Sequence, residues 1–158
     1  MNGVVIKKAT VKDVALISIF MSEQANDERK FLGNLDKKGK FSFYSAKEIK
    51  KILSSPHCCL LIAQLNGKPI GCGLAKIEKT EGWVKYRRRG HLGMLYVHKK
   101  YRRKGVAKRL QEERINWLQS KGINLVSCMI LASNTPSLNL SAERGFKPHA
   151  IYLYNEIR

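Results

Sequence analysis

Hydrophobic positions recur along this chain with two spacings, and the switches between them mark out its elements. Residues 4–8 read as a first strand. Thr10 then caps a helix running to about residue 25, with Asp13 near its positive end. Val14, Ile17 and Met21 share one face of that helix, widened by Leu16 and Phe20. Residues 26–44 are polar but carry Phe31, Phe41, Phe43 and Tyr44, and predict a long loop or a short helix plus loop. Loops of that length in a compact domain usually serve function. Ser45 and Glu48 form a capping box for a second helix, which carries Ile49, Ile52 and Leu53 and stops before Pro56.

Period two then takes over. Residues 58–64 are an apolar run of the kind a strand buried on both faces shows. Asn66-Gly67 is a hairpin signal, and the next strand spans residues 70–78. Gly71-x-Gly73 fails as a dinucleotide fingerprint, because Lys76 stands where a third glycine belongs and no helix follows. Residues 79–90 form a polar, basic connection holding Trp83 and Tyr86. The central strand is residues 91–97, the turn residues 98–103, and a helix continues to about residue 120 on Val106, Ala107, Leu110, Trp117 and Leu118. Lys121-Gly122 supplies its C-cap, residues 123–131 a further strand, and Asn134-Thr135-Pro136 opens a short helix ended by Gly145. Residues 146–150 and 151–157 predict two last strands or one bent one. The order is a mixed α/β layout, with no repeats and no domain boundary.

Gly105 and Ala107 sit in the first turn of the helix after the central strand, where a glycine costs about 1 kcal/mol relative to alanine. A helix start carries unpaired N–H groups and about half a positive charge, so small residues there let an anion approach the backbone. Arg102, Arg103, Lys104, Lys108 and Arg109 add positive charge at the same end.

Arg102-Arg103-Lys104-Gly105-Val106-Ala107 fits R/Q-x-x-G-x-G/A after a strand, and so resembles the acyl-CoA-binding core of the GCN5-related N-acetyltransferases. Asn134-x-x-Ser137-x-x-Leu140-Ser141-x-x-x-Gly145-Phe146 is similar to a second pattern of that family, N-x-x-A-x-x-L-Y-x-x-x-G-F. The resemblance covers nearly the whole chain. It implies one acetyltransferase domain over residues 1–158, with the acyl-CoA N-acyltransferase fold: a central, twisted, mostly antiparallel sheet with flanking helices.

The implied co-substrate is acetyl-CoA, and no metal is called for. Main-chain groups of Leu95 and Val97, with Tyr96 between them, would pair with the pantetheine arm. The pyrophosphate would sit on amides from Arg103 to Lys108, and Asn134 and Ser137 would line the arm. Ser137 replaces the usual alanine. Ser141 replaces the tyrosine that commonly protonates the CoA thiolate; its hydroxyl is shorter-reaching and less acidic, and Tyr152 and Tyr154 are the nearest tyrosines in sequence. His91 is the candidate base, since an imidazole titrates near neutrality, with Glu78 and Glu81 as rivals. His98 is assigned to solvent or the CoA phosphates. The acceptor is an amine, with residues 26–44 as its neighbours and Asp27, Glu28, Asp36, Glu78 and Glu81 as carboxylates able to attract it.

Charge widens the set of partners. The chain has 30 Lys and Arg against 12 Asp and Glu, a net +18 that binding CoA does not require. Such charge attracts nucleic acid, ribosomes or other acidic partners. A non-catalytic CoA-sensing module and a nucleic-acid-associated protein are therefore the alternatives to an enzyme, and the family resemblance also allows a homodimer. Cys58, Cys59, Cys72 and Cys128 show no metal spacing and fall in predicted strands, so free thiols in a cytoplasmic setting are expected. No apolar run reaches a membrane-spanning length, and the N-terminus lacks the layout of a signal peptide.

Overall fold

β-Hairpins build most of the sheet. The structure is a computed structural model and describes residues 3–31, 44–82 and 84–153. Its elements in chain order are β1 (Val4–Lys8), α1 (Val14–Glu28), α2 (Ala46–Ser54), β2 (Cys58–Leu65), β3 (Lys68–Lys79), β4 (Arg88–Val97), α3 (Val106–Ser120), β5 (Val126–Cys128) and α4 (Thr135–Ala142). The strands lie side by side in the order β1-β2-β3-β4-β5. All neighbours are antiparallel except β4 and β5, which run parallel. Asn66 and Gly67 take left-handed φ angles of 50° and 75°, the conformation of a two-residue hairpin turn whose twist matches its strands.

The two faces of the sheet explain why β2 is apolar throughout. Leu60, Ile62, Cys72, Leu74, Met94 and Tyr96 point to one side and bury Ile17, Phe20 and Met21 of α1 with Ile49 and Ile52 of α2. Cys59, Leu61, Ala63, Ile70 and Val97 point to the other and bury Val106 and Leu110 of α3. Leu118 closes the far end against Ala75, Leu92 and Ile123.

Local signals hold at both early helices. Asp13 accepts from the Thr10 N–H at 2.8 Å, and Glu48 accepts from the Ser45 N–H at 2.7 Å. The first helical segment opens with a 3-10 turn, Val11–Asp13, and α1 continues past its expected end near residue 25 to Glu28, so Asp27 and Glu28 lie on its last turn. Asp36, Phe41, Phe43, Trp83 and Tyr154 lie outside the described residues. The strand expected over residues 123–131 contracts to β5, Val126–Cys128. Residues 146–153 are not strand, and Ile151, Tyr152 and Leu153 are exposed, so β-prone side chains there find no ladder among the described residues. Gly71 and Gly73 serve packing: a Cβ on Gly71 would stand 2.5 Å from the Tyr96 carbonyl oxygen. No helix among the described residues is long and apolar enough to cross a membrane.

Candidate active site

A break in the β3–β4 ladder shapes the site. Leu92 pairs with Ala75 and Leu95 with Gly73, so β4 fits one extra residue, a β-bulge at Gly93 and Met94 opposite Leu74. Before the bulge, the Gly90 N–H donates to the Leu125 carbonyl at 2.8 Å, which turns Gly90 and Leu92 toward β5. After it, the His98 N–H donates to the Ile70 carbonyl at 2.9 Å, on the β3 side. Alternation from His98 therefore turns the peptide groups of Val97 and Leu95 away from β3. The β4–β5 pairing runs only from Gly90–Val126 to Leu92–Cys128. Leu95 and Val97 thus face the gap beyond the last β5 pair, with the Leu95 N–H and carbonyl and the Val97 N–H turned toward an extended ligand, while the Val97 carbonyl already accepts from the Arg102 Nε.

This gap leads to the start of α3. Arg103 and Gly105 adopt left-handed φ angles of 59° and 80°, and Gly105 is the N-cap of α3 rather than part of its first turn. A Cβ on Gly105 would touch nothing within 4 Å, so the glycine answers to backbone conformation and an open approach, not to crowding. Val106 is buried in the core, while Arg103, Lys104 and Lys108 are exposed around the same end and Ala107 is half-buried. Arg102 turns inward: its Nε donates to the Val97 carbonyl at 2.8 Å, and its Nη2 pairs with Asp27 of α1. Lys99 lies 3.4 Å from the other Asp27 oxygen. Burial opposes ionisation of Asp27, but Arg102 and Lys99 outweigh it and hold the carboxyl below its ordinary value.

Across the gap stand β5 and α4. Asn134 caps α4, its side-chain oxygen accepting from the Ser137 N–H at 3.3 Å, which leaves its amide N–H2 for a ligand. Ser141 is buried, with its Oγ 3.9 Å from the Cys128 Sγ on β5. Arg144, just past α4, pairs with Glu112 and ties this helix to α3. Tyr152, a rival proton donor, is 76% exposed.

His91 lies on β4 between Lys76 of β3 and Ser127 of β5. Burial pushes its imidazole below the usual histidine range; Glu78 opposes this, while Arg89, Lys76 and Arg114 add to it. The ring is therefore neutral at physiological pH and able to accept a proton. The rival carboxylates are engaged elsewhere: Glu78 and Glu81 lie 3.7 Å and 3.4 Å from Arg89 nitrogens. His98 caps the 3-10 turn Lys99–Tyr101, its Nδ1 accepting from the Lys100 N–H at 3.4 Å.

Two features had no counterpart in the sequence reading. Glu23 of α1 accepts a hydrogen bond from the Tyr96 hydroxyl, and with Asn26, Asp27 and Lys99 it lines a cleft of about 180 Å³. Burial, followed by the Glu23 carboxylate, pushes the Tyr96 phenol far up, so it stays protonated. The second feature is Arg114 of α3, buried beneath the bulge.

The Acetyltransferase (GNAT) family pattern matches residues 22–146, and the chain belongs to that family. N-alpha-acetyltransferase 30 of Saccharomyces cerevisiae is 35% identical over 78 residues, which span 49% of this chain and 43% of the yeast protein. Among solved structures, a mutant of the BH1408 protein from Bacillus halodurans superposes with a TM-score of 0.84 at 12% identity, covering 98% of this chain and 99% of that one. A protein described as a predicted acetyltransferase from Clostridium acetobutylicum, solved with acetyl-CoA, gives a TM-score of 0.74 at 18% identity, covering 97% and 96%. The structural likenesses show the mixed α/β fold, with its mostly antiparallel sheet and flanking helices, and the family match over residues 22–146 makes the chain a member of the acetyltransferase family.

Proposed function

We propose that residues 1–158 form one acetyl-CoA-dependent N-acetyltransferase domain that acts on a primary amine. The observation that carries this reading is the bulge at Gly93 and Met94, which turns Leu95 and Val97 toward a gap that ends at the basic start of α3. Acetyl-CoA fits these residues. The pantetheine arm pairs with Leu95 and Val97, alongside Tyr96 and the amide end of Asn134, with Ser137 beside it. The pyrophosphate takes the N–H groups from Arg103 to Lys108, including Lys104, Gly105, Val106 and Ala107, with Arg102 bracing the strand end. No metal enters the chemistry.

The amine nitrogen attacks the thioester carbonyl carbon, assisted by the Leu95 N–H at the oxygen. A C–N bond forms, the C–S bond breaks, and the electron pair leaves on sulfur. His91 takes the amine proton, directly or through one water, and Ser141 hydrogen-bonds the departing thiolate. The acceptor enters on the α1 side, where Glu23, Asn26, Asp27 and Lys99 line a polar cleft; Asp27 is already paired with Arg102 and Lys99, so the Glu23 carboxylate, bonded to the Tyr96 hydroxyl, is the group that meets the amine. The free thiols, with Cys59 and Cys72 buried, fit a reducing cytoplasmic setting. The charge of +18 fits an acidic or nucleic-acid-bearing partner that brings the acceptor.

Calorimetric titration with acetyl-CoA and CoA, followed by thiol release over a panel of amines and peptides, tests the reading. Binding with amine-dependent release supports it. Absence of binding refutes it, and binding without release on any acceptor turns it to a CoA-sensing module.

A further inference from the structure

Arg114 is 2% exposed, and among the described residues no carboxylate pairs with it. Its Nη1 donates to three backbone carbonyls, those of Leu74 at 3.1 Å, Gly93 at 3.3 Å and Met94 at 3.3 Å. Its Nε is buried without a partner. A cation taken out of water without a counter-charge is costly, and three neutral carbonyls offset only part of that cost. The sheet makes room for it: a Cβ on Gly73 would stand 3.1 Å from the Arg114 Cδ and 3.2 Å from its Nε. The three carbonyls are those left out of the ladder by the bulge, one residue before Leu95 turns toward the gap.

We propose that Arg114 is a positioning residue for the thioester end of the site, pinning the bulge so that the Leu95 N–H faces the gap and supplying the buried positive charge that stabilises the departing thiolate. This rests on the acetyl-transfer reading. A buried cation acts over several ångströms because little water screens it. It complements Ser141, whose neutral hydroxyl brings no charge to the sulfur.

The titratable groups that interact electrostatically with Arg114 are Cys72 of β3, His91 of β4 and Cys128 of β5. Burial pushes both thiols above the ordinary cysteine value and His91 below the ordinary histidine value. Each is thereby moved away from about 8.5, the value around which a free thiol ionises.

The test compares CoA with acetyl-CoA, which has no thiol to ionise, on the wild-type protein by calorimetry from pH 6.5 to 9. Stabilised thiolate lowers the thiol pKa in the complex, so CoA affinity relative to acetyl-CoA rises as the pH approaches the free thiol's value of about 8.5. A ratio that does not change with pH in the wild-type protein overturns the inference. Arg114→Met should abolish the rise and lower kcat by about tenfold or more while the KM for acetyl-CoA moves little. Arg114→Lys, which keeps the charge, should restore the pH dependence in part. An unchanged pH profile in Arg114→Met also overturns the inference. Failure of acetyl-CoA to bind the wild-type protein defeats the acetyl-transfer reading itself, whereas amine-dependent turnover with a pH-invariant ratio defeats the role of Arg114 alone.

Discussion

Gly73 of β3 and Arg114 of α3 are fitted to each other: a methyl group on the glycine would stand 3.1 Å from the arginine Cδ. The contact is tighter than ordinary packing, and the guanidinium cannot retreat without releasing carbonyls of Leu74, Gly93 and Met94. Gly73→Ala should therefore destabilise the protein by about 1–3 kcal/mol, the usual cost of overpacking. Denaturant unfolding measures it, and an unchanged midpoint would show that the arginine moves freely.

Gly105→Glu places a carboxylate at the positive end of α3 and forces a side chain into a left-handed conformation at φ 80°. The strain costs about 1–2 kcal/mol. The stabilisation of the protein by acetyl-CoA should disappear, as a scan of melting temperature against ligand concentration would reveal. A persistent ligand-dependent shift would move the phosphate site elsewhere.

His91 is held below its ordinary value of 6.5 by burial. A base must be unprotonated, so kcat/KM should fall on the acid side through a limb below that value, with acetyl transfer at full strength above it. His91→Asn should remove this limb and lower kcat/KM by about a hundredfold. A pH–rate profile with the limb intact in the variant would exclude His91 as its source.

In the proposed reaction Ser141 offers the departing sulfur a single hydrogen bond. Bonds to charged groups are worth about 1.5–3 kcal/mol, so Ser141→Ala should slow kcat by about ten- to a hundredfold. CoA-arm contacts lie elsewhere, and acetyl-CoA affinity should hold within about threefold, on the order of 0.6 kcal/mol. A kcat equal to that of the wild type would mean that the thiolate leaves without help from this hydroxyl.

Much of this arrangement was legible in the sequence because it rests on local chemistry. The Asn66-Gly67 turn, the Ser45–Glu48 capping box and the glycine ahead of Val106 are set by residues within a few positions of each other. Position 114 also carried a signal, since Leu110, Arg114 and Leu118 repeat at four-residue spacing on the buried stripe of α3. An arginine on such a stripe must find acceptors inside, but which carbonyls it meets depends on a bulge forty residues upstream of it on β3 and twenty on β4. Glu23 had no such signal, because its partner Tyr96 lies on another element. The late strands are missing over residues 146–153 for a related reason, the remainder of the expected stretch lying outside the described residues. Residues 146–153 have β-prone side chains, but pairing is decided by the neighbouring edge, and β5 pairs over only three residues.

The most direct test of the account is thiol release from acetyl-CoA by the wild-type protein in the presence of an amine and peptide panel, with Gly105→Glu as control. Release should depend on the amine, saturate with acetyl-CoA and vanish in the variant. Acetyl-CoA that neither binds nor turns over with the wild-type protein would contradict it.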